Sequence, residues 1–391
     1  MMNPGVGDGG AAIGRASILA DRPMTADEIA RRLMQDAVAP DVAAGCSVVR
    51  TLERSESSEE TPERGRGREE TQSETGGRTD LLFDLASVTK PMTAVAVLRA
   101  GIDPSTPLAS LLPEARGTAT ADVPLELLLA HRAGLDAHRS LYLPLVRGEA
   151  VDVDAALREA ADARRRDAVG SAPADGFPPV YSDLGYMLAG AALARVVGAI
   201  DAGEAIGRLV IEPLGLSAVL GTVRDLGARG VAGPFAPTED VSWRGGLVSG
   251  AVHDENAWAL TGRGGSGHAG LFGTVGAVLA FGRAVLSAAR GEGSWLTRAD
   301  VAWLVRPRPG GTLFAGFDGK SEEGSSAGRL LGASSFGHLG FTGTSLWIDP
   351  EAGIVVTVLT NRVCPSRDHL AIRAARPWAH DRLWRRAREI G

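Results

Sequence analysis

Apolar residues recur at helical spacing in residues 25–38, at Ile29, Leu33, Met34 and Val38, directly after a threonine suited to cap a helix. CSVVRTL (46–52) has the character of a strand. Residues 53–80 then hold no large apolar side chain, so burial cannot offset their ordering entropy, and a mobile loop is expected there. LLFDLA (81–86) restores apolar character, and PMTAVAVLRAG after Lys90 predicts a buried helix closed by Gly101. From about 104 to 286, helical patterns alternate with Gly/Pro loops. The period changes again near the end. SFGHLGFTGTSLWID and GIVVTVLTNRV predict two strands joined through Pro350-Glu351-Ala352-Gly353, and RPWAHDRLWRRAREI predicts a closing amphipathic helix. The expected layout is a flexible N-terminus (1–23), an α/β domain built from 24–86 and 288–391, and a mostly helical insertion over 87–287. The fold class is α/β (α+β): an antiparallel sheet flanked by terminal helices.

The length of 391 residues suits two domains or one large domain with an insertion. A net charge of -6 argues against a nucleic-acid partner, because phosphate binding requires a basic face. Two cysteines, Cys46 and Cys364, cannot form a disulfide framework or a Cys-rich zinc site. No apolar run approaches the ~18 residues of a membrane span. No basic start followed by an apolar stretch opens the chain, so a cytoplasmic location is expected. One bias changes the picture. Of 41 Lys plus Arg, only Lys90 and Lys320 are lysine.

Serine is a weak nucleophile until a neighbour takes its proton. In Ser87-Val88-Thr89-Lys90 the spacing puts both side chains on one helical face, at a strand-to-helix junction supported by Pro91. The Ser87 amide then points out of a helix start, where an oxyanion could be held. Lysine can be tuned into a base by burial or a nearby charge, and arginine cannot. Tyr181, in Tyr181-Ser182-Asp183, sits at a loop-to-helix junction, one of only three tyrosines. Beside Lys90 its phenol could act as a base. In Gly337-His338-Leu339-Gly340-Phe341, glycine permits close approach of substrate, and the Phe341 amide is a candidate second oxyanion donor.

These three elements, in this order, resemble the serine β-lactamase and penicillin-binding-protein superfamily. The tyrosine at the second motif resembles the class C-like branch that includes family VIII esterases. LLLAHRAGL, FDLASVTKP, AVHDENAWAL, SGHAGLF and FGHLGFTGTSLWIDP are similar to its signatures, across about residues 25–384. The resemblance implies an acyl-enzyme on Ser87, with Lys90 and Tyr181 moving the proton, the Ser87 and Phe341 amides holding the oxyanion, and no cofactor or metal. Substrate-binding roles fall to Asp183, His338, Leu339 and Gly340. Where penicillin-recognising members carry Lys-Thr-Gly, this chain has His338-Leu339-Gly340, which favours small uncharged esters over β-lactams. Asp183 replaces the usual asparagine; a carboxylate near Lys90 would favour the ammonium and shift the base role toward Tyr181. Alternatives within the same site are a D,D-peptidase or D-amino-acid amidase, a β-lactamase and an acyltransferase. A non-catalytic sensor on this fold is the alternative of another class.

Other signals carry less. Gly324-Ser325-Ser326-Ala327-Gly328 lacks the preceding strand that a nucleophile elbow requires. His253-Asp254-Glu255 does not have metal-ligand spacing. His268 is expected to order its Gly-rich loop, His131 and Asp136 to belong to a helix end, and Arg385-Arg386 to a solvated helix face.

Overall fold

The seven residues of the strand Ile354–Thr360 are all buried, because the sheet they join is covered on both faces. In the computed structural model, which describes residues 23–52 and 68–391, six antiparallel strands run in the order β2-β1-β11-β10-β9-β8. These are β1 (Val42–Leu52), β2 (Arg68–Gly77), β8 (Asp318–Gly319), β9 (Phe336–Leu339), β10 (Ser345–Asp349) and β11 (Ile354–Thr360). A three-stranded sheet joins β3 (Phe83–Asp84), β7 (Phe272–Gly273) and β4 (Leu220–Gly221), and β5 (Asp240–Val241) pairs with β6 (Gly246–Leu247). Alternation along β11 sends Ile354, Val356 and Val358 to one face and Val355 and Leu359 to the other.

On the first face lie helices α1 (Ala26–Gln35) and, at the chain end, Ile372–Ile390. Thr25 caps α1 in a reciprocal capping box with Glu28, the start expected from its sequence. Helix α2 (Thr89–Arg99) is buried along nearly its whole length and packs on α3 (Asp183–Val197). Helix α4 (Val275–Arg290) covers the second face of the sheet, against β1, β10 and β11. The closing helix is α5 (Ile372–Ile390). Among the described residues no single helix is long and apolar enough to cross a membrane. Cys46 and Cys364 are free thiols.

Three expectations change. Residues 68–77, expected in a loop, form edge strand β2, paired with β1 from Ala43↔Gly77 to Leu52↔Arg68. An edge strand with mostly exposed side chains needs little apolar content, because backbone pairing holds it. Glu74 adds ties, accepting from the Ala26 amide at 2.6 Å and from Arg386 at 2.6 Å, so Arg386 is engaged and not merely solvated. The expectations of a flexible N-terminus and of a loop fall, over 1–22 and 53–67, on residues outside those described. SFGHLGFTGTSLWID is not one strand: it folds back at 340–344 into β9 and β10, with Gly343 at φ +106°. Helix α4 covers the sheet, so the α/β part begins before residue 288. The hairpin at 350–353 is as expected. Amide hydrogen exchange is expected to show strand-like alternating protection through β2; uniform fast exchange over 70–76 would return this segment to a loop.

Candidate active site

The local fold around Ser87 begins with a buried carboxylate. Asp84, at the end of β3, accepts from the Ala86 amide at 2.8 Å and from the His253 amide at 2.7 Å. This holds Ala86 at φ +47°, a left-handed backbone that a residue with a Cβ rarely adopts. The strained residue turns the chain out of β3 into a single 3₁₀ turn, Ala86–Val88, and then into α2. Ser87 is thereby placed in the wall of a cleft of about 480 Å³, whose lining also includes Tyr181, Asp183, Leu339, Gly340 and Phe341.

One turn on, Lys90 is fully buried. Its Nζ donates to Ser87 Oγ at 2.8 Å, to Asp183 Oδ1 at 2.7 Å and to the His268 carbonyl at 3.5 Å. Asp183 therefore reaches Lys90. Burial pulls the ammonium pKa down, but the Asp183 carboxylate and then Tyr181 outweigh it, so Lys90 titrates above the ordinary lysine range. Burial pushes Asp183 up, the Lys90 charge more than reverses this, and the carboxyl lies below its usual range. Tyr181 stands with its ring centroid 4.8 Å from Lys90 Nζ. Although the residue is 37% exposed, desolvation of the phenol where it faces Lys90 raises its pKa more than the ammonium lowers it, so the resting group is a phenol. The ammonium thus favours phenolate as expected without making it the resting form.

The second oxyanion candidate is locked to the first. In the turn after β9, Thr342 Oγ1 donates to the Asp84 carbonyl at 2.7 Å, and Thr344 Oγ1 donates to the Leu85 carbonyl at 2.9 Å. Arg376 of α5 braces the same turn, donating to the Gly340 carbonyl at 2.6 Å and the Thr344 carbonyl at 3.0 Å. A Cβ on Gly340 would collide with Thr344 and come within 2.6 Å of the Leu85 carbonyl, so only glycine lets the two segments meet this closely. The amides of Ser87 and Phe341 consequently belong to one cross-tied unit.

His338 is a correction. Its side chain is buried, hydrogen-bonded to the Leu339 carbonyl at 2.8 Å, and does not line the cleft; strand alternation turns it inward, 6.0 Å from the Tyr181 ring. His131 stacks on Tyr181 at 4.6 Å and accepts from the Ser182 amide at 3.0 Å. The helix-end reading of His131 missed this contact with Tyr181. Its φ of +59° was the hidden part of the signal in HRAGL. Asp84, Thr342, Thr344 and Arg376 were also missed as site residues, though the first three lie within stretches that match family signatures. His268 orders its loop as expected, bonded to Asp254 at 2.8 Å and Ser266 at 3.1 Å. Tyr186 is a core residue whose hydroxyl donates to the Leu129 carbonyl at 2.7 Å. No group of three His, Cys, Asp or Glu suited to a metal occurs among the described residues.

Burial brings His131, His338 and His380 down to about 3 from an ordinary 6.5. As pH falls below 6.5 the unfolded chain binds protons that the folded state refuses. Each histidine should therefore cost about 1.4 kcal/mol of stability per pH unit over the window from about 6.5 to 3. Urea midpoints measured from pH 7 to about 5, above the range where ordinary carboxylates titrate, are expected to fall. A flat profile would contradict neutral burial of these rings.

Residues 11–377 match the Beta-lactamase family model. Similar solved structures are "EstCE1, a hydrolase with promiscuous acyltransferase activity" (17% identity, TM-score 0.61, 91% of this chain and 96% of that one) and a family VIII carboxylesterase (16%, TM-score 0.61, 91% and 95%). A penicillin-binding protein homologue from Caulobacter crescentus is similar too (19%, TM-score 0.58, 91% and 96%). Among curated proteins, a "Putative D-alanyl-D-alanine carboxypeptidase" of Salmonella heidelberg is 30% identical over 203 residues, 48% of this chain and 46% of the relative. The match therefore spans about half the length of that relative. At these identities the structures speak for the fold alone, and the family match over nearly the whole sequence goes further: the chain belongs to the β-lactamase family of serine hydrolases.

Proposed function

We propose that the chain cleaves carboxylic esters through an acyl-enzyme on Ser87, with β-lactams as poor substrates. The observation that carries this reading is the hydrogen bond of 2.8 Å from buried Lys90 Nζ to the Oγ of Ser87, which lines the same cleft as Phe341. Ser87 Oγ attacks the ester carbonyl carbon, and its proton passes by way of Tyr181 and Lys90 to the departing alkoxide. The amides of Ser87 and Phe341 receive the oxyanion, a contribution of the order of 10²–10³ in rate per donor. Water then attacks the acyl group by the reverse proton path and regenerates the serine. The third motif supports the substrate preference: Leu339 lines the cleft and His338 does not, so β9 presents no ammonium or hydroxyl to a β-lactam carboxylate.

Ser87→Ala is expected to abolish both fluorophosphonate labelling and hydrolysis of short p-nitrophenyl esters. Tyr181→Phe should lower kcat by roughly 10²–10⁴. Labelling that survives Ser87→Ala would move the nucleophile elsewhere. Because Lys90 and Tyr181 both titrate above their ordinary ranges, the base form grows as pH rises, and kcat/KM should climb from pH 7 to about 9. In Asp183→Asn, burial is no longer opposed by the carboxylate, so the ascending limb should move to lower pH. An unmoved limb would show that Asp183 does not set the charge on Lys90.

A further inference from the structure

A second cavity, of about 410 Å³, shares no lining residue with the Ser87 cleft. Leu157 of the helix Val153–Asp162, Met187, Ala191 and Ala194 of α3, and Leu260 give it apolar walls. Close-packed interiors hold few voids larger than a water molecule, whereas hollows of roughly 300–1,000 Å³ are the size of ligand sites. Two further lining residues, Val153 and Ile200, keep apolar side chains in water beside this hollow, Ile200 with 80% exposure.

The polar groups of the wall have partners, with one exception. Arg195 pairs with Glu114, and Asp201 pairs with Arg224. Thr261 Oγ1 donates to the Ala257 carbonyl at 2.7 Å, and Ser266 Oγ is bonded to the His268 ring at 3.1 Å. Asp154 has no ion pair or side-chain hydrogen bond among the described residues, and the helix start where it stands is capped by Asp152 instead. An apolar hollow whose single unbalanced charge is a carboxylate complements an apolar body that carries one cation.

The same walls reach Lys90. Asp183, Met187, Ala191 and Ala194 recur at the spacing of one face of α3, so the cavity lies along the stripe whose first member is ion-paired with Lys90. Ser266 and Gly267 line the cavity and lead into His268, whose carbonyl accepts from Lys90. Thr93 of α2 also donates to the Gly267 carbonyl, at 2.7 Å. Two of the three acceptors around the ammonium therefore stand on elements that wall the cavity.

We propose that this cavity is an effector site for a hydrophobic cation, an apolar chain bearing one ammonium at Asp154, and that filling it holds Asp183 and the His268 carbonyl on Lys90, so that acylation of Ser87 slows. Binding is independent of the esterase reading, and the effect on rate rests on it.

The probe is octyltrimethylammonium, which is not a nucleophile and cannot lose its charge, with octanesulfonate as the anionic counterpart, both kept below micelle formation. By calorimetry the wild type should bind the cation more tightly than the sulfonate. Asp154→Asn should weaken cation binding about threefold, as expected for an ion pair at a surface. Ala191→Trp, which fills the cavity, should abolish it. Failure of the cation to bind the wild type, or binding that both variants leave unchanged, overturns the site; should Ala191→Trp not fold, Asp154→Asn alone decides. In ester hydrolysis, saturating cation should move the ascending limb of kcat/KM to higher pH in the wild type and leave the limb of Ala191→Trp in place. Binding with an unmoved limb overturns the effector role. If no ester is hydrolysed and Ser87 resists fluorophosphonate, the esterase reading falls and the rate effect with it, while calorimetry still decides the site.

Discussion

The structure around the cleft is organised by one buried cation. Lys90 has no exposure to water, and its ammonium is tolerated because Asp183, Ser87 and the His268 carbonyl surround it. Removing one partner of a buried pair costs about 3–5 kcal/mol, since the remaining charge is stranded. That constraint reaches outward. Asp183 must start α3 at the right height, and the 264–270 loop must approach α3 closely enough to bring the His268 carbonyl to Lys90. Gly190 and Gly267 allow this approach: a Cβ on Gly190 would stand 2.6 Å from the Gly267 amide nitrogen. The nucleophile hydrogen-bonds to the same ammonium, so stability of the helical part and reactivity of Ser87 share one group.

A second constraint ties the helical part to the sheet. Asp84 holds the strained Ala86, while Thr342 and Thr344 bond to the carbonyls of Asp84 and Leu85, so the turn presenting Phe341 cannot drift from the turn presenting Ser87. Arg376 clamps that turn from α5. Preorganised donors contribute to catalysis because no reorganisation is needed when charge develops. The arrangement also explains why a cationic residue is buried at the cleft edge: it braces the Gly340 and Thr344 carbonyls.

Legibility in the sequence followed the range of the interactions involved. The α1 cap, the burial of α2 and the 350–353 hairpin depend on neighbours within a few residues, and each is where the pattern placed it. Ser87 and Lys90 were readable because their spacing is local and because lysine is so rare here. Strand β2 was not, since an edge strand held by backbone pairing leaves no apolar signature. The inward turn of His338 depends on the phase of a four-residue strand, which composition does not fix. His131 reaches Tyr181 only through a left-handed residue at a helix end. The bracing role of Arg376 was invisible for a related reason: which face of α5 meets the Phe341 turn depends on how that helix docks on the sheet.

The central claim, that Ser87 becomes acylated with Lys90 as its proton partner, is tested most directly by intact-mass and peptide-mapping analysis after rapid quenching with a p-nitrophenyl ester. The expected result is one acyl adduct on the peptide containing Ser87, and its near loss in Lys90→Arg, which keeps the charge but cannot exchange the proton. An adduct on any other residue, or one that forms equally fast in Lys90→Arg, would contradict the account.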